Sequence, residues 1–334
     1  MPNIDYLKIF RDAWKITWNN RFLWWFGLFM LASGGTNFNY FSSGDEKSNQ
    51  NWQDLTEKIQ LQEFLEKYST LIFIGLAALV LFFIILLVLN FIGRGALIKS
   101  TQRILKKEPA NFRSGFRSGK KYFWKLFSIF FFSGLFIFFC FVILFAPIAF
   151  LFLAKSYIIA IILAIFAVVI IIPLLILTKY IQTYASFYVV LADLKPWLAA
   201  ENAYTLFRKN ILASIIMSLL FIPLGIVSFF IVIAIALAVI LVFGPIGLAL
   251  FFAFAKIGAI IAIVAGLFVF VLAFTLFLSI FSTFSEVAWI LFFYIIASPK
   301  EKEKVVETTP ETKEEISALA NTDAMKTIEA ENKE

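Results

Sequence analysis

The sequence predicts an all-α protein: a polytopic transmembrane helical bundle of about six spans, arranged as three hairpins with amphipathic helices on one side. Three observations predict it. Of 334 residues, 61% are hydrophobic and only 15% charged, with a mean hydropathy of +0.90, whereas soluble domains carry about 25% charged residues. Such a chain cannot cover its own apolar surface with polar groups. The apolar residues gather in runs of about 20 or more, the length that crosses roughly 30 Å of hydrocarbon. Lysine and arginine concentrate between alternate runs, the asymmetry that orients membrane proteins.

Residues 1–21 read as a cytoplasmic amphipathic helix lying along the headgroups. In IDYLKIFRDAWKITW, Tyr6, Leu7, Phe10, Ala13, Trp14 and Trp18 share one face, while Asp5, Lys8, Asp12 and Lys15 share the other. A secretory signal ending at LASGG is the competing reading. Its charged region would be about twenty residues long and would contain Asp5 and Asp12, which disfavours it. The stretch RFLWWFGLF follows. Paired tryptophans suit a membrane edge, where the ring enters acyl chain and the N–H stays in water. Trp14, Trp18, Arg21, Trp24, Trp25, Trp124 and Trp197 all sit beside expected membrane edges and are read as interface anchors.

The first span is expected from Phe22 to about Phe41, although GGTNFNYF weakens its second half. Thr70–Gly93, about Tyr122–Pro147 and about Tyr157–Thr178 are the next three, with Pro173 tolerated where neighbouring helices satisfy the freed carbonyl. From Ile211 to Ala297 only Lys256 and Glu286 belong to the charged residue types. This stretch is too long for two minimal spans. Two long helices, about Ile211–Phe243 and Ile257–Ala297, joined around GPIG and Lys256, are one reading; four shorter spans are the other. Both return the C-terminus to its starting side.

The stretch Arg94 to Lys125 carries ten lysines and arginines against Glu108 alone. Residues 94–121 are therefore read as a basic cytoplasmic loop and 180–210 as a cytoplasmic amphipathic segment. The opposite side holds only Lys47, Lys58, Lys67, Lys155 and Lys256. The N- and C-termini are thus expected on the cytoplasmic side of a cell membrane. The expected partners are the lipid bilayer and, through the 94–125 basic stretch, anionic headgroups. No nucleic acid is expected, because no RNA- or DNA-binding module accompanies the charges. The net charge of +7 is topology.

The external loop, residues 39–69, carries a net negative charge, and Trp52, Leu55, Ile59 and Phe64 fall roughly on one helical face. Residues 299–334 hold ten acids and six lysines with no aromatic residue, which reads as a disordered charged tail. Three times an amphipathic segment and a basic or polar cluster precede two passes, at AWKITWNNRFL, GFRSGKKYFWK and AYTLFRKNIL, consistent with a hairpin repeat.

Glu286 is the one acid deep in an apolar run. Roughly 18 Å of helix separates it from Ser298, which places it near the midplane. Thr275, Ser279, Ser282 and Glu286 share a helical face, an intramembrane polar stripe that must avoid lipid. It reads either as a proton or cation site or as packing, with a protonated Glu286 bonded to a neighbouring helix. Gly258, Ala262 and Gly266 recur at four-residue spacing, which suits close helix packing within the chain. No catalytic residue, cofactor site or metal site can be selected: histidine is absent, Cys140 is the single cysteine, and no phosphate-cradling glycine motif occurs.

The stretches AWKITWNNRFLWWFGLF, GALIKSTQRILKKEPANFRSGFRSGKKYFWKLF and LAAENAYTLFRKN resemble a group of bacterial six-helix membrane proteins. These are similar to the membrane domain attached to some glycerophosphoryl diester phosphodiesterases. The resemblance spans about Ile4 to Ala297 and implies six helices with cytoplasmic ends. It implies no catalysis, since the phosphodiesterase barrel has no counterpart here. The functional expectation is a non-enzymatic envelope or membrane-homeostasis component; the alternatives are a transporter or channel using the Glu286 stripe, and a membrane enzyme acting on lipid headgroups.

Overall fold

The computed structural model describes residues 4–31 and 61–297, and among them every regular element is helical. Seven helices follow in order: α1 (Tyr6–Asn19), α2 (Leu23–Leu31), α3 (Leu61–Leu105), α4 (Phe112–Leu153), α5 (Tyr157–Leu191), α6 (Pro196–Lys209) and α7 (Ile211–Ile296). Five stretches among the described residues are long and apolar enough to cross a membrane: Ser69–Leu105, Phe112–Leu153, Tyr157–Leu191, Ile211–Phe252 and Ile260–Ile296. The protein is an integral membrane helical bundle. Of the expected first span, the described part is α2, nine residues long and too short to cross; its continuation, the external loop up to residue 60 and the tail 299–334 lie outside the described residues.

Helix α7 folds back on itself. The rings of Phe221 and Trp289 stack at 5.9 Å, a Cβ on Gly266 would lie 3.1 Å from Phe243 Cβ, and one on Gly247 would lie 3.3 Å from Ala262 Cβ. These pairs converge on a return between Leu250 and Gly258, so the two arms are antiparallel. The first arm therefore runs through GPIG, with Pro245 inside the helix, beyond the end at Phe243 expected from sequence. In lipid, carrying the helix past a proline leaves fewer backbone groups without partners than opening a turn there would.

The core sits at one end of the bundle. Leu97, Ile98, Leu126, Tyr184, Phe187, Leu206 and Phe292 are fully buried there, whereas Phe138, Ile158, Phe230 and Phe252 on the far halves are exposed. Apart from the facing surfaces of the α7 hairpin, where Gly258 meets Leu250 closely, the glycines divide in a similar way. At Gly27, Gly93, Gly115 and Gly119 a Cβ would collide with a neighbouring helix, while at Gly75, Gly134, Gly225 and Gly244 it would meet nothing within 4 Å. Apolar helices gain nothing from each other over lipid tails, so close contact follows small and polar residues. The result is a packed base carrying bare apolar legs.

Two stretches expected as loops belong to this base. Residues 94–105 continue α3, burying Ala96, Leu97, Ile98 and Thr101, and the connection to α4 is only residues 106–111, with Lys107 at φ 60°. The charge run concealed an amphipathic helix. Likewise residues 180–191 continue α5, with Tyr184 to Leu191 buried throughout; only α6 matches the expected amphipathic segment. Helix α1 buries Ile9, Ala13 and Thr17, stacks Tyr6 on Phe292 and sets Phe10 against Phe284 and Phe221. Its expected lipid face is therefore split: Phe10 and Ala13 serve the bundle, and Leu7, Trp14 and Trp18 stay exposed. Of the three similar segments, the first and third break at an asparagine. Asn20 and Asn210 each donate from Nδ2 to the carbonyl four residues back, at 2.9 and 3.1 Å, before the next helix begins. In the second, α4 runs straight through.

Candidate functional site

Neighbouring side chains hold helix α2, LWWFGLFML, by its backbone. Ser279 Oγ donates to the Trp24 carbonyl. Thr283 Oγ1 approaches the Leu23 carbonyl at 3.3 Å and the Ser279 carbonyl at 2.9 Å. From α3, Asn90 Nδ2 donates to the Met30 carbonyl. Gly27 makes the approach possible: a Cβ there would lie 2.2 Å from Thr283 Oγ1.

Beside this cluster the buried ends of α3 and α7 are joined by charge. Arg94 Nε donates to Glu286 Oε1 at 3.2 Å, with the two side chains 4% and 5% exposed. The guanidinium also lies over the Phe130 ring, 5.0 Å from its centre, so one arginine ties α3 to α4 and α7. A buried carboxylate is expensive unless paired and hydrogen-bonded; Arg94 supplies both. The neighbouring helix expected to bond Glu286 is α3, through Arg94. Lys179, exposed on α5, lies within electrostatic reach of both partners. Ser282, one turn before Glu286, has a buried hydroxyl with no hydrogen-bond partner, and Thr275 is half-buried.

These residues share a level. Glu286 meets Arg94, Arg94 meets Phe130, Tyr180 hydrogen-bonds Ser218 at 2.6 Å, and Tyr180 packs edge-on against Trp289. From that level to the far end of α4 at Leu153, or of α5 at Tyr157, is about 35 Å at 1.5 Å per residue. That is a whole hydrocarbon thickness on one side of the pair. Glu286 itself lies within the candidate span Ile260–Ile296. The last turns of α7 pack into the base, with Ile290, Phe292 and Phe293 buried.

A second ion pair clips the base from outside. Asp193, at φ 52°, accepts from Lys125 Nζ at 2.6 Å through Oδ1 and at 3.0 Å through its carbonyl, while Lys121 stands 3.6 Å from Oδ2. Tyr184 hydrogen-bonds Ser214 at 2.8 Å, tying α5 to the first arm of α7. Between α1, α3 and the end of α7 lies an open cleft of about 630 Å³ lined by Asp5, Asp12, Lys8, Lys106 and Tyr294 among others. Its acids and lysines balance. Burial pushes the Tyr6 phenol above its ordinary range. Among the described residues no three His, Cys, Asp or Glu side chains gather to hold a metal.

The remaining expected sites fall as follows. Trp14, Trp18, Trp25, Trp124 and Trp197 are exposed, as is Arg21. Trp24 is half-buried and donates its indole N–H to the Thr17 carbonyl at 3.0 Å. Gly258, Ala262 and Gly266 face the first arm of α7 at Leu250, Gly247 and Phe243. Sequence reasoning missed Arg94, taken for a loop cation, along with Thr283 and the role of Asn90. A usable signal was there: in NFIGRGALI a lone cation sits between two glycines in an apolar stretch, the complement that an intramembrane acid requires. The chain matches no protein-family model, no curated protein and no solved structure.

Proposed function

We propose that this protein is a non-enzymatic component of the bacterial inner membrane, a clamp of helices that organises the bilayer around it. The N- and C-termini and the packed base face the cytoplasm, where Lys106, Lys107, Arg113, Arg117, Lys120 and Lys121, all exposed, meet anionic headgroups. The carrying observation is the closure of the polar site. Glu286 is spent on Arg94, and Ser279 and Thr283 are spent on α2 carbonyls. Groups so engaged hold helices together and are themselves unavailable to pass an ion. The resemblance to a membrane domain without its phosphodiesterase agrees with this reading.

Proton and cation flux in proteoliposomes tests it. Wild type and Glu286→Gln should both match empty vesicles. Flux in the wild type that the substitution abolishes would establish a carrier in place of a clamp. The carrier reading rests on one observation, the unpartnered Ser282 hydroxyl buried a turn from Glu286 with the Lys179 charge close by.

A further inference from the structure

Where α3 and α4 cross, Gly95 and Gly119 bring the two backbones together: a Cβ on Gly95 would lie 3.3 Å from Gly119 Cα. Lys99, Arg103 and Lys106 follow Gly95 at steps of four, four and three residues, so they share one face of α3. Lys99 lies within electrostatic reach of Arg103, Lys106 and, from α4, Lys121, with Glu108 the opposing acid. It is half-buried, and its ammonium donates to Gln102 Oε1 at 2.8 Å. Gln102 is 2% exposed and hydrogen-bonds Tyr294 of α7, so a neutral amide tied to a second helix holds Lys99 in place. Among the described residues no carboxylate stands within 4.0 Å of Lys99, Arg103 or Lys106. Lys121 meets Asp193 at 3.6 Å, across a carboxylate whose shorter bond, 2.6 Å, goes to Lys125. A half-buried cation set among like charges is unfavourable until an anion joins it.

We infer that Lys99, Arg103, Lys106 and Lys121 form a binding site for a phosphate group with more than one negative charge, a phosphomonoester or a diphosphate, borne by a lipid headgroup or by a soluble molecule. A phosphodiester, with a single charge, would leave most of the cluster unneutralised. A phosphomonoester brings about −1.5 to −2 charges at pH 7 and three terminal oxygens. Arg103 supplies a planar fork shaped for two of those oxygens, and the lysines supply point charges around it. Diffuse attraction to an anionic surface follows the surface potential and does not separate headgroups of equal charge. The inference rests on the reading that the base meets anionic headgroups, and it goes further by placing selectivity at one helix crossing.

Thermal unfolding of the full chain in a neutral detergent tests the site, since a ligand that binds the folded state stabilises it with rising concentration. The probes are short-chain phosphatidic acid, a phosphomonoester; short-chain phosphatidylglycerol, a phosphodiester; and inorganic pyrophosphate, all at one ionic strength. Phosphatidic acid or pyrophosphate should half-saturate at a concentration about tenfold or more below that of phosphatidylglycerol, the worth of one further charge-assisted hydrogen bond. Tighter binding of phosphatidic acid assigns the site to lipid, and tighter binding of pyrophosphate assigns it to a soluble phosphate. Lys99→Gln with Arg103→Gln should abolish the preference, whereas Arg208→Gln with Lys209→Gln, which removes the same charge from α6, should keep it. Should the first pair fail to fold, Lys121→Gln, at a side chain 62% exposed, reads the same loss. Equal half-saturation by all three probes, or a preference that survives Lys99→Gln with Arg103→Gln, overturns the site and leaves general headgroup attraction standing; no stabilisation by any probe overturns both.

Discussion

Replacing Glu286 by glutamine preserves the shape of the side chain and removes its charge, which leaves the Arg94 guanidinium 4% exposed beside a neutral amide. Breaking a buried pair by removing one partner costs about 3–5 kcal/mol, roughly a thousandfold in the folding equilibrium. The two single variants should differ. A guanidinium has no neutral form to retreat into, whereas a carboxyl can take up a proton. Arg94→Met should therefore cost less than Glu286→Gln. The double variant Arg94→Met, Glu286→Leu removes both charges and keeps the volume, and should recover most of the loss, because apolar replacement of a buried pair is often neutral or better. Unfolding of each variant in mixed micelles by titration with a denaturing detergent, followed by helical circular dichroism, gives the four free energies of the cycle. A Glu286→Gln loss under about 1 kcal/mol, or a double variant no more stable than Glu286→Gln, would refute the clamp.

Three further outcomes follow from the base. Gly27→Ala should cost about 1–3 kcal/mol through overpacking, since its Cβ would meet Thr283 Oγ1 and the Ser279 carbonyl; gel filtration in detergent should show loss of the folded peak, and a silent Gly27→Ala would mean that α2 is not held against α7. Asp193→Ala should destabilise more than Asp193→Gly, because both lose the carboxylate bond to Lys125 but only glycine is at ease at φ 52°. The effect should stay near 1 kcal/mol for a pair about one-third exposed; equal melting of the two variants would contradict it. Trp24→Phe should cost about 1 kcal/mol for the lost bond to Thr17, and Trp25→Phe, at an exposed ring, should be close to neutral by the same melting assay.

Composition alone exposed the class of fold, since a chain with so few charges has only lipid as a solvent. Span positions were legible because runs such as TLIFIGLAALVLFFIILLVLN have one physical use. The base was not legible. Its helices mix Arg94, Lys99 and Arg103 with buried Leu97, Ile98 and Thr101, and a window that averages hydropathy reads such a mixture as loop. Glu286 and the serine stripe stood out because an acid is rare among phenylalanines and leucines. The partner did not, because Arg94 lies 192 residues away and at the margin of a charge run where cations are commonplace. The first arm of α7 continues past its expected end at Phe243 because GPIG looks like a turn in water, and in lipid a helix tolerates it; the return comes near Lys256.

The account rests on the ion pair standing at the basic edge of the membrane with bare legs reaching away from it. Lys179 is exposed at that level, so a nitroxide at Lys179→Cys in phospholipid vesicles measures the depth directly, by comparing relaxation from dissolved oxygen with relaxation from a water-soluble nickel complex. The account predicts a reading at the headgroup boundary. A reading at the bilayer centre would contradict it.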